Sequence, residues 1–169
     1  MIDINEDGLP DETPTVSPSL GIVPFGFIFD WREHLLVSEA GSGAVSSYAI
    51  EEDHTLSVID ASIANGNRAT CWIIGTWRGD VITANTGSDN LSLYKVDAGS
   101  GEIQLKDNVA ALGDKPIDMA TTRNGRYLYV LNAGDGSVGA FHITRSGTLE
   151  DLGAVAGLPP LFSQGIAVR

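Results

Sequence analysis

Three stretches of this chain lie over one another at a nearly constant offset, and that internal period restricts the fold more than any other feature. Pro24-Phe-Gly-Phe-Ile-Phe29 followed by Leu35-Leu-Val-Ser-Glu39 matches Thr70-Cys-Trp-Ile-Ile74 followed by Val81-Ile-Thr-Ala-Asn85. Both match Pro116-Ile-Asp-Met-Ala120 followed by Tyr127-Leu-Tyr-Val-Leu-Asn132. Landmarks further on keep step: Tyr48, Tyr94 and Phe141 are 46 and 47 residues apart, and Leu56, Ile103 and Leu149 are 47 and 46 apart. Glu39, Asn85 and Asn132 repeat at 46 and 47.

Within each unit four short apolar runs are separated by turn residues. In the third unit the breaks are Arg123-Asn-Gly125, Asn132-Ala-Gly-Asp-Gly136 and Thr144-Arg-Ser-Gly147. Asn-Gly and Asp-Gly between apolar runs signal hairpins. No segment carries a sustained 3.6-residue stripe, so no long helix is expected. The 20 glycines fit a chain of many tight turns. Four antiparallel strands in about 46 residues, repeated, describe the blade of a β-propeller. The expected fold is therefore all-β: a partial propeller of about three four-stranded blades plus one extra strand.

The predicted organisation is an acidic, flexible tail over residues 1–19 and a propeller domain over 20–169. Its repeats run about 20–65, 66–111 and 112–158, with a remnant strand at 163–169 that aligns with the innermost strand of a fourth unit. The tail is rich in Asp, Glu, Pro, Thr and Ser, a composition poor in groups to bury. The innermost strand of each blade is expected to line a central channel. The second is expected to lie buried between blades, with Tyr127-Leu-Tyr-Val-Leu131 the best example.

Val23-Pro-Phe-Gly-Phe27, Ala69-Thr-Cys-Trp-Ile73, Asn124-Gly-Arg-Tyr-Leu-Tyr-Val-Leu-Asn132 and the close Gly147-Thr-Leu149 resemble the lactonase-fold propellers, which include 6-phosphogluconolactonases and carboxymuconate cyclases. The resemblance covers about residues 20–169 and implies the C-terminal half of a seven-bladed ring. It implies hydrolysis or cycloisomerisation of sugar-acid or muconate-type lactones, for which no complete catalytic set can be matched onto this half. Asp30-Trp-Arg-Glu33 and Thr76-Trp-Arg-Gly79 depart from the Asp-Gly type of turn usual at these places.

The formal net charge of −12 argues against nucleic acid or an anionic membrane as partner. The single cysteine, Cys71, excludes an intrachain disulfide. No signal peptide or membrane-length apolar run is visible in this chain, which leaves a cytoplasmic setting as the default. No phosphate loop, nucleophile elbow or metal motif is present, so neither cofactor nor metal is expected.

On a propeller, the loop entering the innermost strand and the loop after the second strand share one face, where ligands commonly sit. That face is expected to gather Glu39, Arg68, Cys71, Trp72, Asn85, Lys115, Asp118 and Asn132. Asp118, Glu39 and Arg68 are the candidates for catalysis; Trp72, Asn85, Asn132 and Lys115 are those for ligand contact. Each has a plainer reading. Asp118 can accept backbone N–H groups between blades. The recurrence of Asn85 and Asn132 suits closure of a turn. Cys71 and Trp72 suit packing. Arg123 and Arg126 flank a hairpin on the opposite face. Because blades bury their faces on one another, the expected partner is a second copy closing a ring, or a companion chain with the missing blades.

Overall fold

The computed structural model describes every residue except Asp3 and Phe162. The described residues form three four-stranded antiparallel sheets and no helix. The first blade comprises β1 (Pro24–Phe29), β2 (Leu35–Glu39), β3 (Ala44–Ile50) and β4 (Leu56–Ala64). The second comprises β5 (Thr70–Gly75), β6 (Val81–Asn85), β7 (Asn90–Val96) and β8 (Ile103–Leu112). The third comprises β9 (Pro116–Thr121), β10 (Tyr127–Asn132), β11 (Ser137–Ile143) and β12 (Leu149–Ala156). Each sheet keeps sequence order, with β1, β5 and β9 neighbouring one another at the inner edge.

The period extends to backbone conformation. Val23, Ala69, Lys115 and Leu161, each 46 residues after the last, all have positive φ, between 49° and 65°. So do Glu33, Gly79 and Gly125, which follow a tight turn in the β1–β2, β5–β6 and β9–β10 connections. In each of these, the N–H of the positive-φ residue donates to the carbonyl three residues back, as Gly125 does to Thr122 at 2.7 Å. This is a type I turn followed by a left-handed residue. Glycine takes that conformation without a steric cost, whereas Glu33 does not. The third connection is one residue longer: Thr122 N–H reaches Tyr127 O, while Thr76 N–H reaches Asp80 O. The β6-to-β10 offset is accordingly 47.

Two apolar clusters hold the blades together. Leu36 and Val45 of the first blade meet Val81, Tyr94, Val96 and Ile103 of the second. Ile82, Ala84, Leu91 and Leu93 of the second meet Met119, Leu128, Val130, Phe141 and Ile143 of the third. Side chains alternate along a strand. Val81 therefore packs back on the first blade while Ile82 packs forward on the third.

Some expectations need revision. The most completely buried second strand is β6, not β10, because β6 alone has a blade on each side; Tyr127 is 38% exposed. β1 is largely exposed for the same reason, since none of the three blades packs on its outer face. Residues 163–169 form no strand and make no ladder with the three sheets. The second repeat runs one residue past its expected boundary, to Leu112. In the tail, Ile4 and Pro10 form a single bridge, and Ser19 hydrogen-bonds into the first blade.

Candidate functional site

The connection entering each innermost strand and the one leaving each second strand are clamped together. Ala40 N–H donates to Val23 O, Thr86 N–H to Ala69 O and Ala133 N–H to Lys115 O, at 2.8–3.0 Å. These bonds hold the two sets of connections side by side at one end of the blades, the expected place of the mouth. Its members, however, mostly do structural work.

Glu39 is fully buried at the end of β2. Its Oε1 accepts from Ser19 Oγ (2.9 Å), Gly21 N–H (2.9 Å) and Ser46 Oγ (2.7 Å), and its Oε2 from Ser62 Oγ (2.7 Å). Gly21 lies so close that a Cβ there would fall 1.6 Å from Oε2. Asn85, its counterpart on β6, is equally buried. Its Oδ1 accepts from Asn65 Nδ2 (3.1 Å) and Thr70 Oγ1 (2.7 Å), and its amide donates to Asn90 Oδ1 and Ser92 Oγ, both 2.7 Å. Ser19 and Asn65 are 46 residues apart, so each donates from the same place in the connection before its blade. Position 39/85 is thus a latch between a blade and the chain entering it.

The third latch is incomplete. Asn132 Nδ2 donates to Ser137 Oγ at 3.1 Å, but its buried Oδ1 has no partner among the described residues. The repeat explains why: Ala111 stands where Asn65 does and Pro116 where Thr70 does, and neither side chain can donate.

Asp118, half-buried on β9, accepts Met119 N–H on Oδ1 (2.7 Å) and Ile166 N–H on Oδ2 (3.0 Å). It ties the C-terminal segment to the third blade. Arg68 and Lys115 are exposed on the connections into β5 and β9, and their side chains make no ion pair or hydrogen bond among the described residues. The structure does not bring Arg68, Lys115 and Asp118 into mutual contact. Burial raises the Cys71 thiol above its ordinary value, partly offset by the Thr86 hydroxyl, so the thiol stays protonated at neutral pH. Trp72 packs against the second-to-third blade cluster and meets Phe25 at a ring distance of 4.5 Å. Its indole nitrogen is buried without a partner among the described residues. No cluster of metal-ligating side chains and no helix long and apolar enough to cross a membrane occurs among the described residues.

The sequence model of the lactonase family of seven-bladed β-propellers matches residues 49–160, about two thirds of the chain. The chain belongs to this family. A comparison with curated proteins finds no match. Solved structures agree on the lactonase fold. A Lactobacillus plantarum protein superposes with a TM-score of 0.75 at 21% identity, over 92% of this chain and 50% of its own. A protein from Bacteroides uniformis, described as a candidate 6-phosphogluconolactonase, superposes with a TM-score of 0.76 at 14% identity, over 95% of this chain and 52% of its own. The periplasmic gluconolactonase of Pseudomonas aeruginosa gives 0.61 at 18% identity, over 84% and 44%. The chain spans about half the length of these lactonase-fold relatives.

Sequence reading missed the latch partners Ser19, Ser46, Ser62, Asn65 and Thr70. The 46-residue offset between Ser19 and Asn65 was the available signal. It is masked because Ser and Asn share a hydrogen-bonding role and not an identity.

Proposed function

We propose that this chain is a ring-forming half of a lactonase-type propeller, whose two outer blade faces dock a second copy. One observation carries the reading. Phe27 occupies the place of Ile73 and Met119, which pack against the preceding blade, yet Phe27 is 63% exposed. Leu35 likewise occupies the place of Val81 and Leu128, which are buried to within 1%. Phe29, 54% exposed, and Val37 complete a groove of about 530 Å³ over this face. The opposite face carries Tyr129, Val138 and Ala140 at the places of Ile82, Leu91 and Leu93, which pack forward on the next blade.

These surfaces continue the packing that holds the blades together inside the chain. A two-fold pair sets the Phe27 face of each copy against the Tyr129 face of the other, and closes or nearly closes a ring. Phe27, Phe29 and Phe25 alone leave on the order of 300 Å² of ring surface in water, a sizeable part of the roughly 800 Å² per partner of a stable interface. Absolute mass by light scattering after size exclusion tests this. Twice the 17.8 kDa chain mass is expected. A compact, folded monomer at tens of micromolar would overturn it.

A second reading is hydrolysis or cycloisomerisation of a small lactone by the assembled ring. Family membership favours it, together with Arg68 and Lys115 standing exposed on the same mouth as Asp118. Loss of sugar-acid lactone turnover in Asp118→Asn, with little change in melting temperature, would support it. Unchanged turnover would remove Asp118 from the chemistry.

A further inference from the structure

The face opposite the mouth carries an arc of side chains at one repeated position. Trp31, Trp77 and Arg123, each 46 residues after the last, occupy the same place in the β1–β2, β5–β6 and β9–β10 turns. Two glycines let each tryptophan lie close to the next turn, Trp31 by its indole and Trp77 by its backbone and Cβ. A Cβ on Gly79 would sit 3.0 Å from Trp31 Nε1, and a Cβ on Gly125 would sit 2.5 Å from Trp77 Cβ. Each tryptophan of one blade therefore rests on the turn glycine of the following blade. Trp31 remains 73% exposed and Trp77 36% exposed.

Trp31, Trp77, Arg123, Asn124 and the hydroxyl-bearing Thr121 and Thr122 border a hollow of about 320 Å³. The Arg123 guanidinium makes no hydrogen bond or ion pair among the described residues, and no carboxylate borders the hollow. Of the chain's 10 lysines and arginines, Arg32, Arg78, Arg123, Arg126 and Arg145 lie in the turns of this face, where Asp30, Glu33 and Asp80 also stand; Arg123 is the one charged side chain on the border of the hollow itself. Arg78 spreads over Trp77 at 5.6 Å, pairs with Asp80 and donates to Arg145 O, which joins the β11–β12 turn to the same surface.

From this arrangement we infer that the hollow is a binding site for a small ring bearing a carboxylate. An exposed indole face takes the flat face of a sugar or aromatic ring, and an unpaired guanidinium takes a carboxylate through two parallel hydrogen bonds. The volume is that of a small-molecule site and fits a single ring. All the residues belong to the three blades of one chain, on the face away from the mouth, so the site stands whether or not a second copy docks.

The test uses the intact chain with D-glucuronate and benzoate as probes, and D-glucose and benzyl alcohol as their uncharged counterparts. NMR follows the indole N–H signals. At least one acid should shift Trp31 and Trp77 saturably in the millimolar range while leaving Trp72 in place. The acid that binds tells whether a sugar or an aromatic ring is preferred. Its uncharged counterpart should bind at least tenfold more weakly. Arg123→Ala, with an unchanged circular dichroism spectrum, should lose at least tenfold in affinity. Absence of a saturable shift with both acids would overturn the inference. So would equal affinity in Arg123→Ala, or equal binding of the uncharged ring.

Discussion

Replacing Phe27 by glutamate separates the packing inside the chain from the packing proposed between copies. Phe27 is 63% exposed. A phenylalanine side chain buries roughly 150–250 Å² when covered, so docking would remove about 120 Å² of Phe27 from water. At about 25 cal/mol per Å² that is about 3 kcal/mol, and a two-fold pair makes the contact twice, for a ceiling of about 6 kcal/mol. A buried, unpaired glutamate adds a desolvation cost on top. Phe27→Glu should therefore weaken self-association by at least about 100-fold. It should hardly change the melting temperature of dilute protein, since the ring is already largely in water. Sedimentation velocity over a dilution series reads the first effect and thermal unfolding at low concentration reads the second. A folded variant that associates as tightly as the parent would mean that the Phe27 face is not where copies meet.

Other perturbations probe the repeat directly. Glu39→Ala strips the acceptor from four buried or half-buried hydrogen bonds and should cost on the order of 3 kcal/mol of unfolding free energy in denaturant titration; Glu39→Gln, which keeps an acceptor, should cost clearly less. Equal losses would mean that the latch does not depend on hydrogen-bond acceptance. Glu33→Gly relieves a left-handed residue where the other two turns have Gly79 and Gly125, and should raise stability by about 0.5–1 kcal/mol, or about 1–3 °C in melting temperature; a lower melting temperature would contradict the turn assignment. Cys71, its thiol raised by burial, should react with iodoacetamide at pH 7.5 more slowly than free cysteine, followed by mass spectrometry. The stability linked to that raised value is present below the ordinary thiol pKa and is lost as the pH climbs through the folded-state value. Alkylation as fast as that of free cysteine would show the thiol to be accessible and unshifted.

The period was legible because blades repeat their backbone. Turn glycines, β-branched runs and the aromatic positions Tyr48, Tyr94 and Phe141 recur with the strands they belong to. The burial of β1 and β10 was not legible, because it depends on which blades stand beside them and not on their own residues. The candidate site was harder still. Glu39 differs from Asn85 and Asn132 in charge, which suggests chemistry, yet its surroundings supply four donors and make it a latch. Asp118 is an isolated acid in an apolar strand, and its partner Ile166 N–H is 48 residues away in sequence, beyond any local pattern. The Trp-Arg dipeptides at 31–32 and 77–78 stood out only as departures from a turn type. Their meaning appears when Gly79 is seen against the Trp31 indole and Gly125 against the Trp77 backbone and Cβ.

On the proposed reading, the faces of β1–β2 and β10–β11 are interfaces between blades of different copies. Hydrogen–deuterium exchange at several protein concentrations tests it most directly, because it reports on those strands one segment at a time. Amides of Pro24–Phe29, Leu35–Glu39 and Tyr127–Ile143 should gain protection as concentration rises, while the β6–β7 segment, already covered on both faces, should stay unchanged. Exchange at those outer segments that is independent of concentration would mean that these faces do not meet a second copy.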